Sequence, residues 1–371
     1  MKLGYLSMIV QEVADILEEL APLSLAEDFD NVGLLVGDPQ REVSGILVTL
    51  DTLENVIDEA IDRKYNLIVS FHPIIFSGLK KITGRTYVER VVSRAIEHKI
   101  NIYCVHTALD NVSRGVNGKI CEVLGVENPG ILLPKSGSIK KLSTYIPKSA
   151  TEEVKEALFA VGGGAIGNYS HCSFSIEGKG SFRPEEGAQP TQGRHGEIEI
   201  TEEIQLNMTF PARLEKKIIR ALFESHPYEE VAYEVITLDN TNQLEGMGMI
   251  GQLAAPMTEE EFLTLVKKKM KVGSIRHSAL LNKPVRRVAV LGGSGAFAIS
   301  AAKAAGADIF LTSDLKYHQF FEAEGAIVLA DIGHYESEQY TKNLLVDYLT
   351  KKITNFAIAL SQSKTNPIKY F

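Results

Sequence analysis

Residues 45–73 read GILVTLDTLENVIDEAIDRKYNLIVSFHP. An apolar run, Gly45–Leu50, reads as a buried strand, and a helix follows from about Leu53 to Arg63. A second short apolar run, Leu67–Val69, leads into Ser70-Phe71-His72-Pro73. Alternating strands and helices of these lengths predict a mostly parallel sheet with helices packed on it. Outward from this stretch the same rhythm continues, with a helix around Tyr87–His98 and a strand at Ile100–Val105. Upstream, Ile9, Val10, Val13, Ile16, Leu17 and Leu20 repeat at the three-to-four spacing of one buried helical face. Met8, at the start of that helix, offers an alternative start to Met1 and would leave residues 1–7 as an extension.

The rhythm changes between about Lys135 and Asp239. Strands are expected at Lys141–Ile146, Cys172–Ile176, Glu197–Phe210 and Val231–Leu238, with helices at Glu152–Ala160 and Ala212–Glu224. A loop rich in Gly and Pro, Gly180–Gly193, lies between the second and third strands. The order βαββαβ is the ferredoxin-like split unit. After Gly246 the α/β rhythm resumes, with strands at Arg287–Leu291, Ile309–Thr312 and Ile327–Ala330 and helices at Phe297–Ala305, Leu315–Glu322 and Tyr335–Leu349. The expected organisation is one α/β domain split in sequence, residues 1–134 and 240–371, carrying an α+β insert at 135–239.

With 371 residues, about 150 of which make an ordinary domain, the chain is long enough for two or three. It is 44% hydrophobic and 23% charged, the balance of a globular protein able to bury a sizeable core. Its formal net charge of −8 and lack of a basic stretch argue against nucleic acid as a partner. No apolar run approaches the roughly 18 residues that cross a bilayer, and Glu12, Asp15, Glu18 and Glu19 interrupt the first helix in a way no signal peptide would. Cys104, Cys121 and Cys172 are too few and too scattered for a disulfide framework or a thiolate zinc site. A cytoplasmic protein without membrane association is expected.

Chemistry concentrates where strands end. His72 follows the strand Leu67–Val69, His106 and Asp110 follow Ile100–Val105, and His334 and Glu338 follow Ile327–Ala330. In open α/β sheets the crevice beyond the carboxyl ends of the strands binds ligands. His334 and Glu338, four residues apart, share one helical face and can share a cation. Taken singly, each of these residues would be an ordinary cap or surface group; three clusters converging on one kind of place favour a metal. Imidazoles and carboxylates without local cysteines suit Zn, Mn, Fe or Co.

Asp28-Phe29-Asp30-Asn31-Val32-Gly33-Leu34, His72-Pro73, His106…Asp110-Asn111, Ser313-Asp314-Leu315-Lys316-Tyr317-His318 and His334…Glu338, in this order, resemble the dinuclear-metal-centre family called GTP cyclohydrolase 1 type 2 homologue. The similarity runs over nearly the whole chain, and the inserted segment resembles the PII-like domain of the longer members. The resemblance implies a two-lobed α/β fold and toroidal homohexamers, trimers of dimers. It further implies that His72, Asp110, His334 and Glu338 hold one or two divalent cations per subunit, with Glu338 bridging and His106 close by. His318, within the fourth motif, is implied as an auxiliary residue. The family usually has two consecutive histidines before the proline; here the first position is Phe71, which cannot coordinate.

Three functions follow as expectations. The leading one is a metal-dependent hydrolase acting on a small nucleotide-like or phosphorylated substrate; no residue is assigned to its catalytic chemistry. The second is a non-catalytic metal-binding scaffold or regulatory ring protein whose insert senses an effector. The third, a nicotinamide dehydrogenase, rests on Gly293-Ser294-Gly295 followed by Ala298 and, further on, Asp314, an imitation of a dinucleotide fingerprint. In the insert, His226-Pro227-Tyr228-Glu229-Glu230 reads as a helix end with no ligand role, and His98, His171, His195 and His277 read as surface residues.

Overall fold

The computed structural model describes residues 7–369. Residues 1–6, and with them most of the extension that a start at Met8 would leave, lie outside the described residues. The fold is mixed α/β with several sheets, and the chain divides into two compact units, Met1–Leu133 with Leu244–Phe371, and Pro134–Gln243.

The first unit holds two sheets. One is five-stranded, in the order Gly33–Val36, Asn101–Cys104, Leu67–Ser70, Ile46–Thr49, Ile358–Leu360. Its strands are parallel except Gly33–Val36, which pairs antiparallel with Asn101–Cys104. Every residue of Ile46–Thr49, Leu67–Ser70 and Asn101–Cys104 is buried. A parallel strand covered on both faces shows no polar alternation, which is why these segments are apolar apart from a polar residue at one end. The second sheet is six-stranded, in the order Arg276–His277, Val328–Asp331, Ile309–Ser313, Val285–Ser294, Gly246–Met257, Val126–Pro134. Its three central strands Val328–Asp331, Ile309–Ser313 and Val285–Ser294 are parallel.

The two sheets share one core. Val48, Val69 and Tyr103 from the first belong to the same buried cluster as Val288, Leu311 and Val328 from the second. Truncating such a residue, for example Leu311 to Ala, costs about 2–5 kcal/mol. Between the strands lie amphipathic helices with ordinary stops and starts. Tyr87–Glu97 begins at Thr86, whose hydroxyl accepts from the Glu89 amide at 3.2 Å. Val116–Leu124 ends at Gly125, left-handed at φ +73°.

Several stretches differ from the sequence expectation. The predicted helix over Tyr335–Leu349 is two helices, His334–Glu338 and Thr341–Lys352. The break is pinned from outside, since the Gln339 amide donates to the Met270 carbonyl at 2.6 Å and the Tyr340 hydroxyl to that of Lys269 at 2.7 Å. Leu315–Glu322 is not an α-helix but a 3₁₀ turn sequence at Tyr317–Ala323. Gly33–Val36 and Gly246–Met257 are strands in stretches without a legible alternation of β-branched residues.

The unit Pro134–Gln243 is a four-stranded antiparallel sheet in the order Phe174–Phe182, Glu199–Pro211, Ile139–Pro147, Tyr233–Leu238. With helices Thr151–Ala160 and Glu215–Ser225 the chain order is βαββαβ. Leu142, Ile146, Leu206 and Met208 point from one sheet face to Val154, Leu158, Ile218 and Leu222 of the helices and form a separate core. Among the described residues no helix is long and apolar enough to cross a membrane.

Candidate metal centre

Each residue of the centre follows the carboxyl end of a parallel strand. Asp51 comes after Ile46–Thr49, His72 after Leu67–Ser70, and His106 opens the short helix His106–Asp110 after Asn101–Cys104. In the other sheet, Asp314 follows Ile309–Ser313, and His334–Glu338 follows Val328–Asp331. His72, His334 and Glu338 converge, each offering a ligand atom within 4.8 Å of the others. Glu338 Oε2 stands 3.1 Å from His72 Nε2 and 3.2 Å from His334 Nε2.

The outer nitrogens of both imidazoles are occupied. Asp51 holds His72 Nδ1 at 2.8 Å, and Asp314 holds His334 Nδ1 at 2.7 Å. A carboxylate on Nδ1 keeps a proton there and leaves the Nε2 lone pair for a cation, the usual outer support of a metal-bound histidine. Both supports are anchored in turn. Asp51 accepts from the Thr365 hydroxyl at 2.7 Å, and Asp314, in the left-handed region at φ +57°, accepts from Ser294 at 2.5 Å.

Electrostatically the centre is built for a cation. Burial opposes the charge of His72, but Asp51 and Glu338 outweigh it and raise its pKa to about 9. His334 is likewise opposed by burial and carried to about 11 by Asp314 and Glu338. Burial works against ionised Glu338, yet the two imidazoles hold its pKa at about 2. Without a metal, protons thus supply the positive charge that the carboxylates demand. Three atoms test the fit further: His72 Nε2, Glu338 Oε2 and Asp110 Oδ1 are buried with no partner in hydrogen-bonding geometry. Short distances between the first two do not align as a hydrogen bond. An orphaned buried polar atom costs about 1–3 kcal/mol, and a divalent cation would satisfy His72 Nε2 and Glu338 Oε2 together.

The other predicted residues are placed differently. Asp110 lies outside the triad of closely spaced ligand atoms, and its carboxyl is pushed well above the usual range by burial and by the negative charge of Glu338. His106 stands edge-on to His72, ring centroids 5.4 Å apart, with Nδ1 held by Asp30 at 2.7 Å. Asp30 also binds Thr107; burial opposes its charge, but these partners lower its pKa to about 2. Phe71 is fully buried, its ring 4.9 Å from that of His72 and 5.5 Å from that of His106. His318 is exposed, and its ring contacts are with Tyr317 and Phe321.

Sequence reasoning missed Asp51 and treated Asp314 as an imitation of a ribose-binding acid. Asp314 is instead engaged with His334. The glycine loop also serves this centre: a Cβ on Gly293, at φ +70°, would come 2.5 Å from Glu338 Oε1. The turn is glycine because the Glu338 carboxylate lies against it. An acid within two residues of the end of a buried parallel strand was the available signal for both aspartates.

The chain as a whole is similar to known proteins. The Duf34/NIF3 (NGG1p interacting factor 3) family matches residues 8–367. A Bacillus subtilis relative called GTP cyclohydrolase 1 type 2 homolog is 38% identical over 370 residues, covering 97% of this chain and 98% of its own. A Staphylococcus epidermidis protein of the same name is 35% identical over 98% of this chain and 100% of its own. Among solved structures, a Bacillus cereus protein related to NIF3 superposes with a TM-score of 0.86 at 37% identity, covering 98% of this chain and 99% of that one.

Proposed function

The chain belongs to the Duf34/NIF3 family, and from that premise we propose that it is a divalent-metal-dependent hydrolase of a small nucleotide-like or phosphorylated substrate. The observation that carries this reading is the set His72, His334 and Glu338 with Asp51 and Asp314 fixing the outer imidazole nitrogens. Such a site suits Zn, Mn, Fe or Co. In the fuller reading Asp110 joins the three as a ligand and the centre takes one or two ions per subunit. A bound divalent cation supplies Lewis-acid polarisation of a phosphoryl or carbonyl oxygen and a lowered pKa for water. The chain's own residues do the rest. Asp51 and Asp314 orient the imidazoles, and Glu338 supplies buried negative charge. His106, its Nδ1 held by Asp30, has Nε2 left to take up and return a proton.

The same reading makes the first unit a two-lobed domain, the unit Pro134–Gln243 a PII-like insert and the assembly a homohexamer built as a trimer of dimers. The family resemblance supports each of these, and measurement of mass in solution tests the last. The test of function is turnover of a panel of nucleotides and phosphoesters by metal-loaded protein, with and without chelator. Turnover abolished by chelator and restored by one of the four metals is the expected result.

A second reading, a metal-binding scaffold or regulatory ring without turnover, has one observation in its favour. Phe71 puts an apolar ring against His72 and His106, where a further ligand would be needed to complete a second site beside Asp110. Tight metal with no turnover on the full panel selects it.

A further inference from the structure

The motif His226-Pro227-Tyr228-Glu229-Glu230 has no part in the metal centre, yet its last three residues line one cavity within the unit Pro134–Gln243 and its first two brace that lining. The cavity, about 440 Å³, lies on the sheet face opposite the two helices. His226 is buried and anchors it: Nε2 lies 3.0 Å from the Tyr145 carbonyl oxygen, and Nδ1 accepts from the Tyr228 amide at 3.1 Å. These bonds fix a neutral imidazole with its proton on Nε2, and burial lowers its pKa. They also fasten Tyr145 and Tyr228, two of the aromatic walls. The Pro227 carbonyl accepts from Thr191 at 3.2 Å and the Glu229 carboxylate from the Gln189 amide at 2.7 Å, which ties down the loop after Phe182. Tyr228 and Glu230 line the space directly.

Glu203 gives the cavity its chemistry. The Tyr228 hydroxyl donates to Glu203 Oε1 at 2.8 Å, and burial with this bond raises the Tyr228 pKa to about 12. Glu203 Oε2 lies over Gly180, where an added Cβ would come within 2.1 Å. The carboxylate is therefore held in one place against a wall that contains Tyr145, Phe182 and Tyr228. Three carboxylates, Glu203, Glu229 and Glu230, line the cavity against one ammonium, Lys179. A negative lining rejects phosphates and carboxylates; aromatic faces beside a fixed carboxylate attract organic cations.

The geometry points to a binding site for a small organic cation, an amine or amidinium on an aromatic or apolar body, in this cavity. The body lies against the Tyr145, Phe182 and Tyr228 rings and the cationic group bonds Glu203. Because Glu203 is already fixed, little ordering accompanies binding.

The test pairs two probes of the same ring and opposite charge, tryptamine and indole-3-acetate, titrated calorimetrically into the full-length metal-loaded protein. Saturable binding of tryptamine is expected, with indole-3-acetate at least about tenfold weaker, as loss of a charge-assisted hydrogen bond implies. Glu203→Gln should weaken tryptamine about tenfold or more. Gly178→Phe is the second variant: Gly178 lines the cavity opposite Glu203, and an added Cβ there meets nothing within 4 Å. That ring should fill the space and abolish binding while metal content stays unchanged. Equal binding of both probes, tryptamine binding unaltered by both variants, or no saturable binding of tryptamine at millimolar concentration overturns the assignment.

Discussion

The two sides of the metal centre are unequally built. On one side, His72 and His334 each have Nδ1 fixed by a carboxylate and Nε2 about 3 Å from Glu338 Oε2. On the other, Asp110 has a buried oxygen without a partner, His106 is turned to Asp30, and the Phe71 ring packs against the imidazoles. Both sides contain histidine and aspartate, so composition alone does not separate them. Outer support alone does not separate them either, since Asp30 holds His106 as Asp51 holds His72. The difference is Glu338, whose carboxylate lies between two imidazoles with their far sides already held, so that rotamer and tautomer need no reorganisation on metal uptake.

Removing the shared carboxylate should have the largest effect. In Glu338→Ala both neighbouring Nε2 atoms lose the carboxylate they share, and elemental analysis of the purified variant should find the metal lost outright. Unchanged metal content would mean the better-built side is not the metal site. Acidification comes next. His72 and His334, raised to about 9 and about 11, carry protons at neutral pH in the ion-free protein, so loading displaces both. Apparent affinity, read by chelator competition, should fall about a hundredfold per pH unit below 9. The ion-free protein should respond in the opposite sense. A raised folded-state pKa gives stability that is fully present below the unfolded value near 6.5 and is lost as the pH rises through about 9 for His72 and about 11 for His334, so its melting temperature should drop from about pH 6.5 upward.

Asp314→Asn tests the outer support itself. The amide cannot hold a proton on His334 Nδ1 in the same way, and metal affinity should fall roughly 10–100-fold while the fold persists. An unaltered affinity would mean that the outer carboxylate does not prepare His334 for a cation. The smallest change is expected from Phe71→His. Affinity for the first ion should be nearly unaltered, while stoichiometry rises toward two per chain as Asp110 gains a neighbouring donor. If stoichiometry stays the same, His106 already compensates or the geometry beside Asp110 does not suit an ion.

The centre was partly legible because buried parallel strands announce themselves. Leu67–Ser70 and Ile309–Ser313 are continuous apolar runs, so the polar residues after them stand out. Asp51 follows such a run just as His72 does, but a lone acid at a strand end is common, and only its 2.8 Å approach to His72 gives it a role. The break before Thr341 could not be read, since the periodicity of Tyr335–Leu349 continues across it. What divides the helices is a pair of hydrogen bonds to the carbonyls of Lys269 and Met270, far away in sequence. Similarly, the strand Gly246–Met257 owes its conformation to pairing with Val285–Ser294 rather than to its own Gly- and Met-rich composition.

Gly293 also bears on which variants of this chain can survive. Gly306 and Gly325 share its positive φ, +71° and +65° against +70°, but around them an added Cβ would meet nothing within 4 Å. Asparagine adopts that backbone at modest cost, so in a saturation library Gly306→Asn and Gly325→Asn belong to the tolerated alleles. At 293 the same codon change drives a side chain into the Glu338 carboxylate. Three glycines alike in φ therefore separate under selection, and the intolerant one marks the centre without any measurement of metal.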